Sequence, residues 1–215
     1  MLYILTGRIQ SGKTRWLQKV VAALSEHKIP YYGVLAPGIW QCDGGVYRKI
    51  GIENELMPSG TRVLFAQPLL NSAADVGNLG MQWDFLAEAV DAVNDHFSLL
   101  IKLRNESQPT RFAMRGEATR KSGGVLIVDE LGMLELRRKT GITEAMRMLE
   151  LGPCSLVDNA IIVVRESLLD AVRHRFDKWG ETTLISPDDA SWDKLKTLWQ
   201  KTFQVEESNP DVRFR

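Results

Sequence analysis

The apolar run Leu2-Tyr-Ile-Leu5 is followed at once by Gly7-Arg-Ile-Gln-Ser-Gly12-Lys13-Thr14, and then by apolar residues at helical spacing. Strand, glycine-bounded turn and helix in that order leave few arrangements open. Gly7 and Gly12 give access to backbone conformations closed to other residues and allow a close approach to an anion. The N–H groups of Arg8, Ile9, Gln10 and Ser11 can then converge on it. The helix N-terminus adds its unpaired N–H groups and its dipole to the same field. In this context Gly-x-x-x-x-Gly-Lys-Thr predicts a phosphate-binding loop (Walker A, residues 7–14). Lys13 reaches the β- and γ-phosphates, and the Thr14 hydroxyl reaches Mg²⁺. Arg15 and Trp16 lie close enough to the loop to touch a ribose or base, although Trp16 also belongs to the apolar stripe of the helix.

The second informative stretch is Gly124-Val-Leu-Ile-Val-Asp129-Glu130. Its apolar run suits a strand buried on both faces, as parallel sheets require, and the two carboxylates emerge at its C-terminal end. Ligands of open α/β sheets bind at that end. Asp129 is therefore expected to share a crevice with Thr14 and hold Mg²⁺ as a Walker B aspartate. Glu130, beside the γ-phosphate, can orient a water and take its proton. Glu135 is a further acidic candidate, with a satisfied polar role in the following turn as the alternative. Asn159-Ala-Ile-Ile-Val-Val164 reads as another buried strand, ending in Arg165. That arginine can stabilise developing charge or pair with Glu130 or Glu166.

The rest of the chain is read around these signals. Trp16, Leu17, Val20, Val21 and Leu24 predict a helix from about Gly12 to Ser25. Tyr31–Leu35 reads as a strand, and the glycine-punctuated stretch 38–67 as a small antiparallel β insertion beside the main sheet, with Ile39 and Trp40 on its leading edge. A second helix is expected from Trp83, with Phe85, Leu86, Ala89, Val90, Val93 and Phe97 on one face, reaching to about Arg104. Residues 102–121 carry Lys102, Arg104, Arg111, Arg115, Arg120 and Lys121 against few acids. This basic segment reads as a flap over the phosphates, a polynucleotide-contacting loop or a solvated loop. Leu168, Leu169, Val172 and Phe176 predict a helix, 182–185 a last strand, and Trp192 to Phe203 a closing helix. The tail 206–215 is polar.

The 215 residues suit one α/β domain over 1–205. Lys plus Arg and Asp plus Glu each number 27, so no net charge draws the chain to nucleic acid or an anionic membrane; any anion site must be local. Cys42 and Cys154 form no C-x-x-C pair, which argues against zinc or a disulfide framework and for a reducing cytoplasm. The opening apolar run is too short for a signal peptide or a membrane span.

With both motifs in place, the sequence resembles the cancer-related nucleoside-triphosphatase family, small RecA-like P-loop NTPases. The residues that carry this are Gly7–Thr14 and Val-Asp-Glu-Leu-Gly-Met-Leu-Glu-Leu at 128–136, the second being the more specific. The resemblance implies Mg²⁺-dependent hydrolysis of nucleoside 5′-triphosphates of the ATP/GTP class, with Gly12, Lys13 and Thr14 on phosphate and metal, Asp129 completing the metal site and Glu130 activating water. Leu35-Ala-Pro-Gly-Ile-Trp40 and the length of the basic segment depart from the family pattern and bear on substrate. The fold expected is a mostly parallel twisted sheet with helices on both faces. A nucleotide or small-molecule kinase, and a nucleotide-dependent switch or assembly ATPase, are the alternatives.

Overall fold

The computed structural model describes residues 1–69, 83–106 and 123–196. β1 (Leu2–Leu5) is buried throughout, and β7 (Gly124–Leu131) and β8 (Val157–Val164) nearly so. Strands of that kind need helices on both faces. Alternation along them sorts their side chains between two cores. Tyr3, Leu5, Val125, Ile127 and Ile161 pack with Trp16, Leu17, Val20 and Leu24 of α1 (Lys13–Glu26) and with Leu195 of the helical stretch 189–196. Leu2, Ile4, Leu126, Val128 and Ile162 face the other way, against Val93, Phe97 and Ile101 of α2 (Ala87–Glu106) and Met148 of α3 (Thr143–Leu151).

The sheet order is β6-β5-β4-β2-β7-β8-β1-β9, with β3 paired to β4. β2 (Tyr31–Leu35), β7, β8, β1 and β9 (Thr182–Ile185) are parallel neighbours. β3 (Gly38–Asp43), β4 (Val46–Met57), β5 (Thr61–Pro68) and β6 (Trp83–Phe85) are antiparallel. The α/β class and the helices on both faces are as expected. The parallel character belongs to the half that holds β1 and β7; the whole sheet is mixed.

The β insertion does not fold beside the main sheet. It continues it, because β4 pairs antiparallel with β2 through Gly33↔Met57, Val34↔Leu56 and Leu35↔Glu55. β2 would otherwise present an open row of N–H and C=O groups. The long β4 covers that edge with its second half, while Val46–Gly51 runs past the end of β2 and pairs with β3. β2 also approaches β7 closely. A Cβ at Gly33, where φ is +114°, would lie 2.0 Å from the carbonyl oxygen of Ile127.

Several boundaries differ from the expectations. Trp83–Phe85 is a strand, with Phe85 edge-on to Phe65, and the helix begins at Ala87. It extends to Glu106 and takes Lys102 and Arg104 into the helix. Arg104 is buried, with its guanidinium on the carbonyls of Leu151, Gly152 and Pro153 at the end of α3. Leu151 ends α3 and Gly152 and Pro153 follow it, so these carbonyls lie beyond the helix's own donors and a buried cation there is structural. The remainder of the 102–121 segment, like the 206–215 tail and the end of the closing helix, lies outside the described residues. The helix expected around Leu168 to Phe176 breaks into short turns, of which α4 (Leu169–Val172) is the α-helical one.

Candidate active site

The turn between β1 and α1 takes the shape its glycines permit. Gly7 and Gly12 have φ of +146° and +86°, and Gln10 is also left-handed at +61°. The N–H of Ser11 donates to the carbonyl of Arg8 (3.2 Å). Lys13 folds back over the loop, its Nζ donating to the carbonyls of Gly7 (3.0 Å) and Arg8 (2.8 Å). This ties the entry of the loop to its exit. Burial lowers the pKa of Lys13, with Glu130 the largest influence in the opposite direction. Arg8, Ile9, Gln10, Ser11 and Arg15 are exposed around the turn, while Gly7, Gly12, Lys13 and Thr14 are half-buried.

Asp129 stands at the carboxyl end of β7 and is 4% exposed. Its Oδ2 accepts from the backbone N–H of Ala36 (3.0 Å), and its carboxylate also accepts from the Thr14 side chain. The two expected metal ligands therefore touch. Burial pushes the carboxyl up to about 6, against those two hydrogen bonds. A carboxylate and a hydroxyl are hard oxygen donors, suited to a cation that takes its remaining ligands from water or phosphate. No cluster of three His, Cys, Asp or Glu able to cage a metal is present among the described residues.

Glu130 sits at an irregularity near the end of β7. Its φ is +73°, and pairing between β7 and β8 slips between Val128 and Leu131. A bulge of this kind re-aims a side chain, here at a cost of about 1–2 kcal/mol for a non-glycine residue in the left-handed region. Arg165, at the end of β8, donates through Nε (2.9 Å) and through its second guanidinium nitrogen to Oε1 of Glu130. The structure thus adopts the pairing alternative for Arg165. Both side chains are about half exposed, so the pair contributes no more than about 1 kcal/mol and an anion can break it.

The fold has known counterparts. The chain matches THEP1 from the hyperthermophile Aquifex aeolicus at 18% identity and TM-score 0.58, over 94% of this chain and 99% of that one. It also matches a human cancer-related nucleoside triphosphatase at 19% identity and TM-score 0.53, over 96% and 98% of the two chains. The chain shares their fold. No family model matches it, and no curated protein does. The resemblance read from the two motifs therefore stands at the level of three-dimensional architecture.

Within this fold, β8 runs between β1 and β7. Arg165 accordingly emerges between the Gly7–Thr14 loop and Asp129. Trp16 is not available to a nucleotide. It is 7% exposed, its Nε1 donates to the carbonyl of Asp188 (3.2 Å), and Trp192 meets its ring edge-on at 6.2 Å. Glu135 is likewise structural, buried and accepting from the N–H groups of Gly132 (2.9 Å) and Ile142 (3.3 Å). Arg137, Arg138 and Lys139 are exposed on the turn beside it.

Two contributors escaped the sequence reading. The loop after β9 lies against the Gly7–Thr14 turn, where a Cβ on Gly7 would stand 3.8 Å from Pro187. Lys49, on β4, interacts electrostatically with Asp129, Glu130 and Arg165. Neither carries a motif, and Lys49 lies 80 positions before Asp129 in the sequence. The one available signal was the Leu35–Trp40 stretch that departs from the family pattern, since it holds the backbone partner of Asp129 and the strand paired to Lys49.

Proposed function

We propose that the chain is a Mg²⁺-dependent nucleoside triphosphate hydrolase of the cancer-related nucleoside-triphosphatase family, forming the diphosphate and phosphate. The observation that carries this reading is the convergence at one sheet edge of the Lys13 loop, the Thr14–Asp129 oxygen pair and the Glu130–Arg165 pair. In this proposal the amides of residues 7–14 and the ammonium of Lys13 hold the phosphates, with Arg15 on the first helical turn beside the ribose. Thr14 and Asp129 hold the Mg²⁺, which when bound supplies positive charge to phosphate oxygens.

Glu130 orients the attacking water and accepts its proton. The water oxygen bonds to the γ-phosphorus as the bond to the β–γ bridging oxygen breaks, and the diphosphate leaves with that electron pair. Arg165 exchanges Glu130 for the γ-phosphoryl oxygens, which both releases the base and offsets developing charge. Arrival of the anion thereby sets the catalytic carboxylate free.

The test is phosphate release from the four common triphosphates with and without Mg²⁺, for the parent and for Glu130→Gln. The reading expects Mg²⁺-dependent release and a variant that binds normally but turns over about 100-fold or more slower. Undiminished turnover in Glu130→Gln would remove it as the base. Absence of release from every triphosphate would end the hydrolase reading.

A further inference from the structure

The antiparallel half of the sheet sends one cation into the crevice. We propose that Lys49 contacts the γ-phosphoryl group of the bound triphosphate, so that the β3–β4 hairpin supplies the site's recognition of a terminal phosphate. This rests on the hydrolase reading above and deepens it.

Three observations carry it. The first is position. β4 pairs with β2 only up to Glu55↔Leu35, and the hairpin ahead of that point overhangs the edge where β2 and β7 end. Lys49 lies on this overhang, opposite Trp40, with Ala36 and Asp129 joined at its base.

The second is direction. Most of the hairpin is exposed, including Val46, Tyr47 and Arg48, and a lysine there would ordinarily extend into water. Lys49 is instead half-buried and folded inward over Gly38, where an added Cβ would lie 2.6 Å from its Cε. Its ammonium sits 5.1 Å from the centre of the Trp83 ring. Among the described residues it has no ion pair within 4 Å, so its N–H donors are not committed to a carboxylate.

The third is charge. The groups that act on Lys13 are the cation Arg165 and the anions Asp129, Glu130 and Glu166. Lys49 feels the same Asp129, Glu130 and Arg165, and so adds a positive charge facing the two carboxylates. Burial also lowers its pKa, as expected of an ammonium held away from bulk water. A cation positioned this way acts most strongly on the charge farthest along the phosphate tail, where negative charge concentrates during transfer.

The experiment compares the full-length parent with Lys13→Ala, Lys49→Ala, Lys49→Gln, Lys49→Arg and Gly38→Ala. Affinities for ADP and for a non-hydrolysable ATP analogue are measured beside phosphate release from ATP with Mg²⁺, and circular dichroism checks folding. Lys49→Ala and Lys49→Gln should lower kcat about 100-fold and cut the preference for triphosphate over diphosphate about tenfold, leaving ADP affinity unchanged. Lys49→Arg should recover part of both. Lys13→Ala, in contrast, should lose both nucleotides.

Gly38→Ala gives an independent check. The added Cβ meets the flexible end of Lys49 at 2.6 Å and Nε1 of Trp40 at 3.0 Å, so the variant should fold with the Lys49 side chain displaced and move in the same direction as Lys49→Ala. Should Lys49→Ala fail to fold, Lys49→Gln and Gly38→Ala decide the matter. Turnover and triphosphate preference within about twofold of the parent in the folded Lys49 variants would overturn the assignment and leave the hydrolase reading standing. A parent that releases no phosphate would bring down both.

Discussion

Replacing Asp129 by Asn should make the nucleotide-free protein more stable while removing the proposed hydrolysis. The carboxyl is 4% exposed and its pKa is raised from 3.8 to about 6 by burial. A folded-state pKa above the unfolded one means that the native state holds the proton more tightly. Its stability is therefore fully present below about pH 4 and declines as pH rises through about 6. Above that the ionised carboxylate costs about 3 kcal/mol, from a difference of roughly two pH units at 1.36 kcal/mol each.

Asn has nearly the same shape, can still accept from the Ala36 N–H, and carries no charge. The expected gain of Asp129→Asn is about 3 kcal/mol at pH 7, about half that at pH 5, and under about 1 kcal/mol at pH 4. For a chain of this size that is about 6–12 °C in Tm at neutral pH. Urea unfolding followed by tryptophan fluorescence at several pH values from acidic to neutral, without nucleotide or Mg²⁺, measures the difference directly. A variant no more stable than the parent at neutral pH, or one whose gain is the same in acid as at neutrality, would refute the reasoning. Phosphate release by the same variant should fall to background, because an amide cannot supply the negative oxygen proposed for the metal.

Other substitutions probe the scaffold and the site. Arg104→Leu leaves the carbonyls of Leu151, Gly152 and Pro153 without their buried donor, and should cost about 2–4 kcal/mol in urea unfolding. Gly33→Ala forces a methyl group against the Ile127 carbonyl at positive φ; a loss of more than about 3 kcal/mol, seen as failure to give a cooperative melt, is expected. Arg165→Ala breaks a half-exposed ion pair, so its thermal midpoint should stay close to the parent's while turnover drops about 100-fold or more.

The glycine-bounded turn and the acidic strand end were legible because each is a local pattern. Gly7, Gly12, Lys13 and Thr14 are fixed in relation to one another by a few backbone dihedrals, and the apolar run before Asp129 marks a buried strand wherever that strand goes. Helix α1 was legible for the same reason, from its repeating apolar face. The start of α2 was not. Trp83 and Phe85 look like the first apolar positions of that helix, yet Trp83–Phe85 pairs with β5, a partner that no local spacing announces.

Read alone, the chain specified chemistry at two points: a turn able to hold phosphate, and a carboxylate pair at the end of a buried strand. How those points meet was left to the fold. It set β8 between β1 and β7, which brings Arg165 onto Glu130. It also joined the β insertion to the open edge of β2, which carries Lys49 to the crevice. The cause is the range of the interactions. Turn geometry and apolar periodicity act over a few neighbouring residues, whereas strand order follows from which edges and faces can be covered together, and that is settled between segments far apart in the chain.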